Sequence, residues 1–314
     1  MTSVGSAYAA RMGLRLAPDV RNALAAGDPV VALESTIISH GLPRPRNLDA
    51  ARSFEAQLRN TGVTPATIAV LDGEVCIGLD DEQLTRVAGD EDVVKVSVRD
   101  LPVALATGRS GATTVAATSY LAARAGIRVF ATGGLGGVHR HASSTFDESA
   151  DLTTLSQTPI TVVSAGVKSI LDIPATLERM ETLGITVVGF GTRRFPSFWV
   201  TDSGFELDWS VPDARSVARV MAAADELGLP GAVVVANPLP VDRQLDPAEH
   251  DAALSRALAA ADEKGLRGKE VSPFLLASMV EQTGGRSLEV NLDIAANNVR
   301  VAGQIAVEWV AEQA

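Results

Sequence analysis

The sequence predicts an α/β fold, a layered α/β/α sandwich around a mixed, largely parallel sheet, on two observations. Short β-branched runs recur along the chain and are nearly continuous in apolar character rather than alternating. Strands of that kind are usually covered on both faces. Helical patterns separate the runs, and regular alternation of strand with helix is the mark of a layered sandwich.

In chain order, strands are expected at 30–33, 67–70, 93–96, 128–130, 160–163, 185–188 and 233–235. A further run at 75–77 follows Asp72-Gly73, a dipeptide that signals a hairpin with the 67–70 strand. Helices are expected over 47–60, 114–125, 170–183, 214–226, 247–264, 272–282 and 297–313. The Pro/Asp-rich stretch 237–249 reads as a loop or a lid, and the chain has no internal repeat. One domain over residues 26–314 is therefore expected, preceded by an arm or leader over 1–25.

A chain of 314 residues can bury a large core without a disulfide or metal staple. Its 46% hydrophobic and 21% charged residues exclude disorder for the bulk of the chain. With 27 Lys and Arg against 38 Asp and Glu, the net charge of −11 argues against a nucleic-acid surface, which needs dense cations. A small phosphorylated metabolite needs only one or two cations and some backbone amides, so it stays open. The single cysteine, Cys76, excludes a disulfide framework and any CxxC metal site. The start of the chain lacks a basic segment followed by an apolar core, and no uncharged apolar run approaches ~18 residues. A cytoplasmic protein without a membrane span is the expectation.

Ligands of open α/β sheets bind outside the carboxyl ends of the strands, so the strand ends are where chemistry is sought. Glu34 directly follows the 30–33 run, where a poorly solvated carboxyl would have a raised pKa and act as a general acid. A Glu capping a nearby helix is an equal reading. Gly108 to Val115 is rich in glycine and hydroxyl residues at a helix start, a ready phosphate site, with Lys95 as a possible added cation; the commoner reading is a plain Thr N-cap. Ala131 to Arg140 resembles a dinucleotide fingerprint in which His139 replaces the final glycine, a weak signal that does not favour a nicotinamide cofactor, and His139 reads equally as a satisfied structural histidine. Asp147, Glu148 and Asp151 place three carboxylates in five residues and invite Mg²⁺ or Mn²⁺, unless the turn is merely solvated. Lys168 follows a buried run among small residues. Desolvation there would free its amine to attack a carbonyl, whereas a snorkelling lysine is the bland alternative.

Taken together, these segments resemble the pseudouridine-5′-phosphate glycosidase family, also known as indigoidine synthase A-like proteins. The matching stretches are ALESTIISHGLPRPRN (32–47), PATIAVLDGEVCIGL (65–79), KVSVRDLP (95–102), GATTVAAT (111–118), VFATGGLGGVHR (129–140), TFDESADL (145–152), SAGVKSILDIPATLE (164–178), VVANPLP (234–240) and GKEVSPFLLA (268–277). They run in family order from about residue 30 to the C-terminus, which makes them far more specific together than singly. The resemblance implies reversible cleavage of the C–C glycosidic bond of pseudouridine 5′-phosphate to uracil and ribose 5-phosphate, an activity of the carbon–oxygen lyase class.

It also implies roles: Lys168 as the Schiff-base nucleophile, Glu34 as the acid, and Asp147 as the ligand of one Mn²⁺, with Mg²⁺ as a substitute. Lys95, Val115 and the Ser149-Ala150-Asp151 run become substrate contacts, joined by His139 and Asn291. A homotrimer is implied as well. Glu148 stands where the family more usually has an apolar residue, and 193–199 fits the family's aromatic stretch only loosely. The chemistry is coherent, because a C–C glycosidic bond has no basic leaving atom for paired carboxylates to protonate. An amine can instead open the sugar and hold C1′ as an iminium while the uracil ring is protonated at C5. Two rivals are another lysine-dependent sugar-phosphate carbon–carbon lyase and a non-catalytic phosphosugar-binding protein.

Overall fold

A computed structural model describes residues 13–267 and 271–313. Eleven strands form one mixed sheet: β1 (Leu14–Leu16), β2 (Val30–Leu33), β3 (Thr64–Leu71), β4 (Glu74–Ile77), β5 (Val94–Val96), β6 (Gly111–Thr113), β7 (Val129–Ala131), β8 (Thr161–Ser164), β9 (Thr186–Phe190), β10 (Ser210–Val211) and β11 (Val233–Ala236). The spatial order is β1-β4-β3-β2-β7-β8-β11-β9-β10, with β6 on β3 and β5 on β6. Every pairing is parallel except β3 with β4 and β3 with β6. The expected α/β layering with a mixed, largely parallel sheet is what the chain adopts.

The buried runs explain the central strands. In β2, β8 and β11 every residue is buried, so both faces need apolar cover. One layer is built on Val115–Ala125 and its neighbours, and the other on Arg46–Arg59, Ala214–Glu226 and the long Arg286–Glu312 helix. Asp72, in the left-handed region at φ 50°, and Gly73 close the β3–β4 hairpin as anticipated.

β3 is the strand that shapes the site. Its first half, Thr64 to Thr67, pairs with β2 in the main sheet, whereas its second half pairs with β4 and β6. The sheet therefore splits beyond Leu33 and Thr67. Polar side chains close the split: Ser35 Oγ and Thr113 Oγ1 donate to the Ile68 carbonyl at 2.7 and 2.6 Å, and Thr113 N–H donates to Ser35 Oγ at 2.8 Å.

Several elements begin or end elsewhere than expected. Gly111–Thr113 is a strand rather than part of a loop; its register pairs Gly111 with Val94, and a Cβ on Gly111 would lie 2.2 Å from the Val96 side chain. The last helix starts at Arg286, eleven residues before 297, because Leu288, Val290, Ile294 and Ala295 carry a buried face through that turn-rich stretch. Within the segment expected as an arm, Leu14–Leu16 pairs in parallel with β4 and Pro18–Ala26 packs by Val20 and Ala23, so ordered structure begins ahead of residue 26. Residues 1–12 of that arm, and Gly268, Lys269 and Glu270 of the GKEVSPFLLA stretch, lie outside the described residues. Of the 237–249 stretch, residues 237–246 form a loop with one helical turn at Val241–Arg243, and 247–249 already belong to the helix Pro247–Glu263. The loop is held against the aromatic segment, with Leu245 N–H donating to the Trp199 carbonyl at 2.9 Å and Thr201 N–H to Gln244 Oε1 at 2.8 Å. Among the described residues, no helix is long and apolar enough to cross a membrane.

A buried amide ties the long helix to the sheet. Asn298 is fully buried; its Nδ2 donates to the carbonyls of Thr132 at 2.7 Å and Gly133 at 3.2 Å, while its Oδ1 accepts from Asn237 Nδ2 at 2.9 Å. Asn298→Leu strands those partners without water. It is expected to lower the unfolding free energy by about 2–4 kcal/mol, measured by urea denaturation of the purified chain, and a change below about 0.5 kcal/mol would show that the partners re-pair.

Candidate active site

The site lies where β2, β7, β8 and the β5–β6 pair end. Glu34 is the first residue after β2, and Thr132 the first after β7. Thr132 Oγ1 donates to Glu34 Oε1. The wall around the carboxyl is largely apolar, with Leu33, Ile37, Phe54, Ala131, Ala295 and Val299 lining a pocket beside it. Desolvation by that wall pushes the Glu34 carboxyl above its ordinary value, against the smaller opposing pull of Lys168, Thr132 and Lys95. Among the described residues no helix N–H donates to this carboxylate, so the capping alternative finds no partner here.

Lys168 stands on the segment that continues β8. That segment runs beside the Gly-rich continuation of β7: Ala165 N–H donates to the Gly133 carbonyl, Leu135 N–H to Gly166 and Lys168 N–H to Leu135, at 3.0, 2.9 and 3.2 Å. The glycines serve this packing rather than a dinucleotide. A Cβ on Gly134 would lie 2.6 Å from the Phe198 ring, one on Gly136 2.3 Å from Ser149 Oγ, and one on Gly137 2.4 Å from Thr176 Oγ1. Gly166, at φ +72°, faces the Pro196 carbonyl at 2.4 Å from where its Cβ would be. Lys168 itself is half-buried.

Lys95 projects from β5 opposite Ala112 of β6. The residue is exposed, yet desolvation and the Lys168 charge lower its pKa while Glu34 and Asp151 oppose them. At the start of the Val115–Ala125 helix, Thr114 Oγ1 accepts from Ala117 N–H at 3.4 Å, the N-cap that the sequence allowed. The neighbouring Ala116 amide is taken by Asp151 Oδ1 at 2.9 Å. The Val115 amide is thus the one left at this helix end, among the described residues, with no acceptor of its own.

Asp151 has a second bond, accepting from Gly136 N–H through Oδ2 at 2.8 Å. Both oxygens of this buried carboxylate are therefore committed to backbone, and it binds the helix end to the Gly-rich turn. Ser149 caps the short helix Ala150–Leu155 by accepting from Asp151 N–H at 3.2 Å, and Ala150 is exposed. Asn291 sits across from Gly133, whose Cβ would lie 3.5 Å from Asn291 Oδ1.

Asp147 and His139 face each other with Nδ1 and Oδ2 3.8 Å apart, and His139 N–H donates to the Asp147 carbonyl at 3.0 Å. Desolvation lowers the His139 pKa more than Asp147 raises it. Glu148 turns away, accepting from Arg179 Nε at 3.0 Å, which accounts for a charge where an apolar residue was expected. Among the described residues, no three His, Cys, Asp or Glu side chains converge as a metal cage. An ion at Asp147 would rest on one carboxylate and complete its shell with water and substrate oxygens, as small hard cations commonly do.

The structure therefore gathers Glu34, Lys95, His139, Asp151 and Lys168 at one sheet edge, within electrostatic reach of one another, with Val115 and Asn291 on adjoining walls. Sequence reasoning missed Thr132, Asn298 and Phe198. Thr132 was visible as the first polar residue after a strand. Phe198, held at φ 60° and buried against Gly134, carried no local signal.

A family model described as indigoidine synthase A-like protein matches residues 19–308. The pseudouridine-5′-phosphate glycosidase of Frankia alni is 63% identical over 304 residues, covering 97% of this chain and 84% of that protein. Its counterpart from Salinispora tropica is 60% identical over 302 residues, covering 96% and 93%. Among solved structures, the prealnumycin C-glycosynthase AlnA in complex with ribulose 5-phosphate aligns with a TM-score of 0.89 at 37% identity, over 96% of this chain and 98% of that one. An indigoidine synthase A-like protein of Thermotoga maritima aligns with a TM-score of 0.86 at 37% identity, over 95% and 96%. A match of this extent makes this chain a member of the indigoidine synthase A-like family.

Proposed function

We propose that this chain is a pseudouridine-5′-phosphate glycosidase, an enzyme that reversibly cleaves the C–C glycosidic bond of pseudouridine 5′-phosphate to uracil and ribose 5-phosphate. The observation that carries this reading is a desolvated carboxyl, Glu34, within electrostatic reach of a lysine amine, Lys168, with the two carried on separate strand ends. Relatives that bear the activity's name, and a structural neighbour that binds a pentulose 5-phosphate, support the substrate class.

The Lys168 amine attacks C1′ as the C1′–O4′ bond opens, and the proton the nitrogen gives up passes to O4′, leaving a hydroxyl there and a lone pair on the nitrogen. Glu34, whose apolar wall favours its protonated form, delivers its proton to C5 of the uracil ring. The C1′–C5 bond then breaks. Its electron pair restores the C5–C6 double bond while the nitrogen lone pair leaves C1′ as an iminium, and water releases ribose 5-phosphate and the free amine. Lys95 and the unengaged Val115 amide are the groups suited to the phosphate or its neighbouring hydroxyls. Asn291 and His139 border the same space, while Ser149 and Asp151 shape its floor. Asp147 would hold Mn²⁺, or Mg²⁺ in its place; such an ion supplies positive charge and oriented waters. A homotrimer and a cytoplasmic setting belong to the same proposal, and light scattering of the purified chain tests the first.

Lys168→Ala is expected to abolish the borohydride-trapped adduct with ribose 5-phosphate while retaining the wild-type circular dichroism spectrum. Lys168→Arg should be equally inactive, because a guanidinium stays protonated and forms no imine. An undiminished adduct on either variant removes the role given to Lys168.

Asp147→Ala should weaken Mn²⁺ binding, read by isothermal titration and by the chelator concentration that halves uracil release. Unchanged affinity returns Asp147 to an ordinary solvated turn.

Glu34→Gln keeps the hydrogen bond from Thr132 and removes the transferable proton. Uracil release should fall by a factor of about 10²–10⁴ with the sugar adduct still forming. Stability should move the other way. Burial raises the folded-state pKa above its ordinary 4.5, so the native protein holds a proton that the unfolded chain has released. Stability is then lost as pH climbs from that ordinary value through the folded one. The variant escapes this loss: its melting temperature should match the wild type near pH 4 and exceed it at pH 8. A variant less stable at pH 8 with normal turnover would make Glu34 a structural residue.

A further inference from the structure

Immediately after Lys168 the chain is held by a group of side chains for which the reaction above has no use. Ser169 and His250 are both buried, at 2% and 3% exposure, and Ser169 Oγ lies 2.8 Å from His250 Nε2. On the other side of the ring, Nδ1 lies 2.9 Å from Asp251 Oδ1. A carboxylate only accepts, so it takes the Nδ1–H, and Nε2 is left as the acceptor for the Ser169 hydroxyl. The connectivity is that of a hydrolytic serine–histidine–aspartate set, but Ser169 is enclosed and has no access to a substrate, which excludes a second nucleophile.

The same stretch is gripped from the opposite side. Arg140, at the end of the Gly-rich segment, donates from Nη2 to the Ser169 carbonyl at 3.2 Å and from Nε to the Ile170 carbonyl at 3.3 Å. Lys168 N–H and its carbonyl are both bonded as well, to Leu135 and from Leu171 N–H. The helix Pro247–Glu263, which carries His250, meets this loop only through tertiary packing. A lysine side chain has four rotatable bonds, so where its amine can reach is set by how firmly its Cα is placed. Misplacement by an ångström in a reacting group costs orders of magnitude in rate.

We propose that Ser169 and His250, with Asp251 fixing the tautomer, are positioning residues that clamp the chain behind Lys168 and so place its amine for attack on the sugar. This rests on the Schiff-base reading of Lys168. Neither residue touches substrate; each acts through the lysine's backbone.

The test uses the full chain and the pre-steady-state rate of borohydride-trapped adduct at saturating ribose 5-phosphate, measured well below each variant's melting temperature and per folded molecule. Ser169→Ala and His250→Leu should slow adduct formation about tenfold or more with the half-saturating sugar concentration changed less than about threefold. His250→Gln, whose amide can still meet the Ser169 hydroxyl, should recover most of the rate. Asp251→Ala alters an exposed side chain and leaves core packing alone, and it should slow the same step by about two- to fivefold. Rates within twofold of wild type in Ser169→Ala, His250→Leu and Asp251→Ala overturn the clamp, as does a His250→Gln as slow as His250→Leu. Lys168→Ala, run alongside, separates the two readings. Loss of adduct there with wild-type rates in the other variants sinks the clamp alone, whereas adduct retained in Lys168→Ala sinks the Schiff base and the clamp together.

Discussion

The parallel sheet comes apart halfway along β3, and the backbone groups laid bare at the split must be satisfied away from water. A buried unpaired carbonyl costs about 1–3 kcal/mol, so the split is tolerable only where side chains fill in for the missing ladder. Ser35 and Thr113 do so, both donating to the Ile68 carbonyl. Thr118 joins them through Thr113 at 2.9 Å. That knot fixes the end of β2 against the end of β6, and hence Glu34 against Val115 and Lys95. The cleft lies where the sheet divides, and these bonds tie the two sides of the division together.

The same economy governs the polar residues around the cleft. Asp151 spends both carboxylate oxygens on the amides of Ala116 and Gly136, and Asn298 spends its amide on Thr132, Gly133 and Asn237. Each is buried and satisfied, and each joins segments remote in sequence. Buried networks of this sort rigidify a site when complete. The Glu34 carboxyl, the Lys168 and Lys95 amines and the Val115 amide keep capacity that the proposed substrate would use.

Charge at the site is arranged against stability. Burial raises Glu34 and lowers Lys95 and His139, so each is biased toward its neutral form by the same loss of solvent. A carboxyl whose protonated form is favoured by burial is better suited to donating that proton than an ordinary solvated glutamate. The cleft gives up folding free energy to obtain that state, in keeping with the tendency of perturbed groups to collect at functional sites.

By itself the sequence determined the layered α/β architecture, since continuous apolar runs such as Val30 to Leu33 and Val233 to Val235 can be covered only on both faces. It pointed to the strand ends as the place to seek chemistry and singled out Glu34 and Lys168 as candidates, because a charged residue soon after a buried run is conspicuous in one dimension. The edge strands Leu14–Leu16 and Ser210–Val211 were illegible, being too short to show a period and existing only through their partners. So was Gly111–Thr113, which reads as a loop until Val96 and Ala69 are set beside it. What Asp151 binds, why the Gly-rich turn needs its glycines, and how His250 reaches Ser169 were decided by tertiary structure alone. Each depends on contacts between segments far apart in the chain (81 residues in the case of Ser169 and His250), and no local pattern encodes a distance of that kind.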